Sequence, residues 1–401
     1  MANAPYQIGI ATVDITPPLG VVLAGYGPRK GVADEVGHKL RAEALVCKGP
    51  DGAAWAMLTS DVVGYPRELV ERVRKMISAK TGLPAEAILI SASHTHSGPA
   101  GLQCYNEKLS DIDHAWRKAV EPKLAQVVID AFQAARPGAF EVAWTKAPLL
   151  GSNRRVVAAD GSATNDWQDP QGRHTGFFDP TVMLIGVRRP NEALDALVVN
   201  YGVHPVTLGP RSLAISADYP GYMKDTIETC RPGITAMFAL AGAGNINPRD
   251  CIEVGAQWPK KVGESLAQIV CDATAELEPV AAGPVRSCSK PWKVVSRRGW
   301  PTGSERKKDA EITTEVMALR AGDLAIATVP GELFSEFAGM IRKASPLPAT
   351  AVVSLANDAL GYLPVDAAMP QGGHEITHRA ADMIEKPLMK HVSEALKCVA
   401  G

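Results

Sequence analysis

The chain has 401 residues, of which 46% are hydrophobic and 21% charged, with a net charge of -1 and a pI near 6.8. That length supports a large buried core, and the balanced charge excludes the basic surplus that a nucleic-acid or anionic-membrane partner requires. No apolar run reaches the roughly 20 residues that a membrane-spanning helix needs. The opening MANAPYQIGIATVDITPP has neither a basic nor a long apolar leader, so the expected location is cytoplasmic. Seven cysteines, Cys47, Cys104, Cys230, Cys251, Cys271, Cys288 and Cys398, are scattered and contain no Cys-x-x-Cys. Reduced structural thiols are expected, rather than a zinc ribbon or a disulfide frame.

Residues 6–15 read as a first strand, ended by Pro17-Pro18 and followed by a Gly- and Pro-rich loop over 19–30. Residues 42–47 and 54–58 flank the turn Lys48-Gly49-Pro50-Asp51-Gly52 and predict a hairpin, whose return arm runs into Thr59-Ser60-Asp61. Over 68–79, Leu69, Val70, Val73, Met76 and Ile77 recur at helical spacing. Residues 88–90 then read as a buried strand and lead into His94-Thr95-His96, stopped by Gly98-Pro99. In an extended segment residues two apart share a face, so strand alternation is expected to deliver both imidazoles to one pocket. A long amphipathic helix is predicted over 112–135, closed by Arg136-Pro137-Gly138.

Two more hairpins follow. Residues 182–187 and 196–201 flank a turn over 188–192, and the return arm ends in Gly202-Val203-His204. Residues 315–319 and 324–329 flank a turn over 320–323, and the return arm ends in Pro330-Gly331-Glu332. Strands over 234–240 and 351–355, with a helix over 256–277, complete the pattern. The expected fold is a single α/β domain over 1–401, of mixed β-sheets with hairpin units flanked by helices. The part from about Val280 onward is expected to pack on the rest.

Strand ends gathered at one sheet edge are where α/β enzymes commonly place their chemistry. His94, His204 and Glu332 lie on three such ends and have the ligand types of a catalytic zinc, which keeps one position open. Water on such an ion ionises near neutrality and can attack a carbonyl. A competing signal is His374-Glu375-Ile376-Thr377-His378, which matches His-Glu-x-x-His but requires a helix. Pro370, Gly372 and Gly373 oppose one running in from upstream, so a loop at the rim of another site is expected instead. Asn153-Arg154-Arg155 reads either as an oxyanion or carboxylate binder or as a solvated basic turn. Asp218 suits a helix cap or an orienting partner for a ligand His, a role also open to Asp61.

The ordered pieces Asp14-Ile15-Thr16-Pro17, Gly25-Tyr26, Thr59-Ser60-Asp61, His94-Thr95-His96-Ser97-Gly98-Pro99, Asn153-Arg154, Pro330-Gly331-Glu332 and Gly361-Tyr362, with the run over 200–205, carry a family resemblance. Over roughly residues 6–375 the chain resembles the amino-terminal catalytic domain of the neutral/alkaline (non-lysosomal) ceramidases. The resemblance implies one zinc ion held by His94, His204, Glu332 and Tyr362, with His96 and Arg154 lining the pocket to hold substrate or oxyanion. Where the family has Asn-x-Gly-Asp-x-Ser-Pro-Asn, this chain reads Ala241-Gly242-Ala243-Gly244-Asn245-Ile246-Asn247-Pro248-Arg249. The family's serine falls on Asn247, and an amide is no nucleophile, so zinc-activated water is the expected attacker. Asn247 is carried as a catalytic-pocket residue, and Arg249 and His374 as substrate-binding residues.

With 401 residues, the family's carboxy-terminal sandwich domain is not expected in this chain. At 5% aromatic residues, no long apolar lid for two lipid chains stands out. The expectation is therefore a zinc-dependent amidase acting on a small soluble N-acyl compound. The alternatives are an esterase, lactonase or glycoside-cleaving enzyme on the same scaffold, or a non-catalytic binding protein. A small molecule is the expected partner, with no nucleic acid and no membrane insertion, and homo-oligomerisation is left open.

Overall fold

The computed structural model describes residues 4–102, 109–190, 193–297 and 309–401. Cys104 and the turn residues Asn191 and Glu192 lie outside the described residues. The first part of the chain forms β1 (Tyr6–Asp14), β2 (Arg41–Lys48), β3 (Ala54–Ser60), α1 (Arg67–Thr81), β4 (Ile88–Ile90) and α2 (Asp111–Gln133). The second forms β5 (Arg136–Lys146), β6 (Thr181–Arg188), β7 (Leu194–Tyr201), α3 (Asp218–Cys230), β8 (Thr235–Leu240) and α4 (Gln257–Ala273). After the short β9 (Glu278–Pro279) come β10 (Val285–Val295), β11 (Glu311–Ala321), β12 (Leu324–Thr328), α5 (Ser335–Ala344) and β13 (Ala349–Val353). The one-turn α6 (His374–Thr377) and α7 (Glu385–Ala400) close the chain.

The same βββαβα order thus occurs three times. In each unit three strands pair antiparallel in sequence, and the fourth returns through a helix to lie parallel to the third. Units one and two join back to back where β1 pairs with β5, giving the order β8-β7-β6-β5-β1-β2-β3-β4 within a nine-stranded sheet. The third unit makes a separate four-stranded sheet, β10-β11-β12-β13. The predicted hairpins are all present. The Arg136-Pro137-Gly138 stretch, read as a helix stop, is also the start of β5.

The two sheets stack, and helices cover both outer faces. Leu45, Trp55, Met57, Leu89, Met183, Ile185 and Val198 project from the large sheet onto Met317, Leu319, Ile326 and Val353 of the small one. On the other face, Val46, Leu58 and Ile90 pack under α1 and α2, while Leu184, Val199 and Phe238 pack under α3 and α4. Helices α5 and α7 cover the small sheet through Phe337, Ile341, Leu388 and Leu396. Burial on both faces explains why these strands read as continuous apolar runs without alternation. Each large side chain so buried contributes about 1.5–3 kcal/mol. Trp55 also donates its indole N–H to the Arg320 carbonyl (2.9 Å), linking the sheets. Among the described residues, no helix is long and apolar enough to cross a membrane.

One expectation fails in the small sheet. Cys288 on β10 and Cys398 on α7 form a disulfide, while Cys47, Cys230, Cys251 and Cys271 are unpaired. The partners are 110 residues apart in sequence. Scattered spacing says nothing about which Cα atoms come within bridging distance, and only the packing of α7 on the sheet brings these two together.

Candidate active site

The chains leaving β3, β4, β7, β8, β12 and β13 supply the residues of one buried cluster. His94 follows β4, but it does not reach the cluster through strand alternation. Its φ is 71°, a left-handed conformation that is uncommon for a non-glycine residue. The backbone is held there by the His94 N–H donating to the Val62 carbonyl (2.9 Å). His94 and His96 then meet edge to face, with ring centroids 4.8 Å apart. Gly25 makes room for His96: its φ is 94°, and a Cβ there would lie 2.4 Å from His96 Cγ.

The tautomers follow from the carbonyls. His94 Nδ1 lies 2.6 Å from the Val63 oxygen and His204 Nδ1 2.5 Å from the Ala243 oxygen. A carbonyl only accepts, so both Nδ1 atoms carry a proton, and a ring in its neutral form turns its lone pair outward from Nε2. Those Nε2 atoms lie 3.4 and 3.2 Å from the same Glu332 Oε2. Burial, followed by the Arg154 charge, pushes the His204 pKa down to about 4, so the ring is neutral at physiological pH. His96 Nε2 is 3.2 Å from His94 Nε2, and among the described residues His96 Nδ1 has no partner.

Acceptors this close in a buried site need positive charge between them, supplied either by protons on Nε2 or by a bound cation. The nitrogen and carboxylate donors fit a zinc-type ion, whose ligands stand about 2.0–2.2 Å from it. The ligand atoms of His94, His96 and His204 all lie within 4.8 Å of one another. Three imidazoles, where two were expected as ligands, therefore border the space, with Glu332 beside them. Tyr362 pairs in parallel with Glu332 through the short strands Glu332–Leu333 and Tyr362–Leu363. Its hydroxyl accepts from Arg154 Nη2 (3.1 Å). Burial, reinforced by Glu332, pushes that phenol up.

The family model for the neutral/alkaline non-lysosomal ceramidase, N-terminal, matches residues 6–298. The chain belongs to this family. Neutral ceramidase 3 of Arabidopsis thaliana is 30% identical over 166 residues, covering 39% of this chain and 22% of that protein. Neutral ceramidase of Pseudomonas aeruginosa is 23% identical over 258 residues, covering 61% of this chain and 37% of that protein. The chain thus matches between about a fifth and a little over a third of the length of these curated relatives. The crystal structure of the Pseudomonas aeruginosa enzyme superposes with a TM-score of 0.78 at 17% identity, over 99% of this chain and 75% of that one. A ceramidase complexed with C2 gives 0.81 at 16%, over 99% and 76%. These likenesses establish the neutral-ceramidase catalytic fold.

Several expected roles look different in the structure. Arg154 is neither a solvated turn nor free to receive substrate. Buried at 3% exposure, it donates to Glu375 Oε1 (2.7 Å), Asn247 Oδ1 (2.8 Å), the Gly244 carbonyl (2.8 Å) and Tyr362. A short ladder between Gly151–Asn153 and Ile246–Pro248 sets it there. Asn247 is likewise engaged on both sides of its amide, accepting from Arg154 and donating to the Trp167 carbonyl (2.9 Å). Its amide thus joins Arg154 to the Trp167 backbone. Arg249 points away, donating to the Pro148 carbonyl (3.4 Å) and packing against Gly172. His374 does reach the rim, with its ring 5.5 Å from Tyr362 and 5.2 Å from Trp167.

The His-Glu-x-x-His match is not a metal helix. Helix α6 is a single turn, and Glu375 is spent on Arg154 and Arg155. Asp61 and Asp218 do not orient the histidines, because backbone carbonyls occupy both Nδ1 atoms. Asp61 binds Lys224, while Asp218 accepts from the Thr207 hydroxyl and the N–H groups of Thr207, Leu208 and Tyr219. Sequence reasoning missed Trp167, whose ring lies 5.1 Å from the Arg154 guanidinium. The signal available was an aromatic residue inside the polar stretch Asn165-Asp166-Trp167-Gln168-Asp169.

Proposed function

We propose that this chain is a zinc-dependent hydrolase cleaving the amide bond of a small, soluble N-acyl compound. The observation that carries the reading is the Glu332 carboxylate facing two inward lone pairs, His94 Nε2 and His204 Nε2, at 3.4 and 3.2 Å. His94, His204, Glu332 and Tyr362 would hold the ion. When bound, such an ion polarises a carbonyl and lowers the pKa of water toward neutrality.

The chain's own groups have separable tasks. His96 presents a ring edge to the cluster and is the residue placed to hydrogen-bond the reacting carbonyl or the incoming water. Tyr26 stacks edge to face on that ring (4.9 Å) and donates its hydroxyl to the Leu208 carbonyl (2.9 Å), fixing the ring's orientation. Arg154 holds the Tyr362 hydroxyl and places a fixed positive charge behind the site, where preorganised charge is most effective. Trp167 and His374 form an aromatic rim with polar edges, suited to a compact acyl group on a polar amine.

Family membership supports amide chemistry. Asn247, with its amide saturated by Arg154 and Trp167, supports attack by water over a serine acyl-enzyme. The test is elemental analysis followed by hydrolysis of a panel of N-acyl amino acids, N-acyl amines, short-chain ceramide and matched esters. Zinc should copurify, chelation should abolish amide cleavage, and Glu332→Gln should lose both metal and activity. Turnover of esters alone, or full activity after chelation, would remove the reading.

A further inference from the structure

We propose that Glu375 is a positioning residue of the metal centre: it anchors Arg154, and through Arg154 it holds the Tyr362 hydroxyl against the site. The proposal rests on the zinc reading above and assigns Glu375, the acidic member of the His-Glu-x-x-His segment, a role that reading does not use.

Glu375 is fully buried, and Arg154 and Arg155 are 3% and 5% exposed. Its Oε1 accepts from Arg154 Nε (2.7 Å) and Asn165 Nδ2 (2.8 Å), and its Oε2 from Arg155 Nη1 (2.9 Å). Burial would raise this carboxyl, but the Arg154 charge and these hydrogen bonds bring it down to about 2. The guanidinium of Arg154 is planar, so gripping Nε fixes where the two Nη atoms point. Nη1 then meets Asn247, while Nη2 meets both the Gly244 carbonyl and the Tyr362 hydroxyl. Gly244 itself sits against the Glu332 backbone, where a Cβ would come 2.4 Å from the Glu332 carbonyl oxygen. One carboxylate thus orients a fork whose far tip touches two elements of the candidate metal site.

The local chain is built to deliver Glu375. Gly372 and Gly373 have φ of 70° and 91°, conformations costly to other residues, and they turn the chain immediately before α6. The His374 N–H donates to Asn165 Oδ1 (2.9 Å), so the same asparagine grips both α6 and the Glu375 carboxylate. A carboxylate needed only to neutralise two arginines would not require that second grip.

A double-mutant cycle separates positioning from charge balance. Zinc affinity is measured by chelator competition for wild type, Tyr362→Phe, Glu375→Gln and the double variant. Because the partners of ligands typically govern affinity by 10–100-fold, Glu375→Gln should weaken zinc about tenfold. In the Tyr362→Phe background it should weaken zinc no further. Asn165→Ala, which leaves both salt bridges in place, should show a smaller loss, about threefold, with the same dependence on Tyr362, and it serves if Glu375→Gln does not fold. Losses that multiply across the cycle, or affinities within twofold of wild type, would overturn the proposal. A wild-type protein that binds no zinc would instead remove the reading beneath it.

Discussion

Two buried polar clusters stand at equivalent strand ends of the repeated units, and they differ in one respect. Beyond β3, Asp61 and Glu43 surround Lys224, all three almost fully buried. The ammonium donates to Glu43 Oε1 (2.7 Å) and to both Asp61 oxygens (2.8 Å each), and the Arg41 N–H donates to Asp61 Oδ2 (2.9 Å). There, each carboxylate faces donors. Beyond β7 and β12, His204 and Glu332 face each other and His94 with lone pairs against lone pairs. The first cluster is complete as it stands, whereas in the second a proton or a bound cation must stand between the acceptors. Burial and charge do not distinguish scaffold from site in this fold, but the balance of donors and acceptors does.

The sharpest way to break that contrast is to remove the donor from the complete cluster. Lys224→Met leaves two buried carboxylates without their shared cation, a change that typically costs 3–5 kcal/mol. Urea unfolding should show that loss, while the zinc stoichiometry of the folded fraction stays at the wild-type value. Equal loss of zinc and stability would mean that the two clusters are not separable.

How much of this contrast was legible in the sequence follows from which atoms carry it. The three return arms ending in Asp61, His204 and Glu332 are visible because hairpin turns and apolar runs are local signals. The convergence of His94, His204 and Glu332 could be reasoned from them. The triplication was not, because the equivalent strand ends share no residue type, and β5 and β10 lie in stretches of mixed character that do not read as strands. Nor were the partners of the histidines legible. Val63 and Ala243 act through carbonyls, which every residue has, so side-chain reasoning turned to Asp61 and Asp218 instead. The bond between Arg154 and Asn247 was not legible either, because polar residues near a pocket are read as facing substrate when their mutual hydrogen bonds are unknown.

Acid titration probes a second complete cluster, the Arg154–Arg155–Glu375 clamp. The folded-state pKa of Glu375 is lowered from 4.5 to about 2. Its contribution is therefore fully present above pH 4.5 and lost as the pH falls from there through 2. Linkage puts it at roughly 3 kcal/mol. Unfolding free energies at pH 6 and pH 3 should differ less in Glu375→Gln than in wild type. Parallel pH profiles for the two proteins would show that the clamp adds nothing beyond its charge-neutral replacement.

The smallest expected effect bears on the incomplete cluster and on the residue whose place in it is least settled by type, His96. Three imidazoles border the cation space, yet His94 and His204 are pinned through Nδ1, whereas His96 has no partner there among the described residues. A ring without a hydrogen-bond partner on its outer nitrogen lacks the hold that a ligand ring usually has. Gly25→Ala pushes first on this ring, since its Cβ would come 2.4 Å from His96 Cγ, at a backbone φ of 94°. If His96 serves substrate, turnover should fall about tenfold, equivalent to roughly 1.4 kcal/mol of barrier, with zinc affinity unchanged. If His96 is a third imidazole ligand, zinc affinity and turnover should fall together. Chelator competition and initial rates on the same preparation decide between the two, and the pinning of only two rings favours the first.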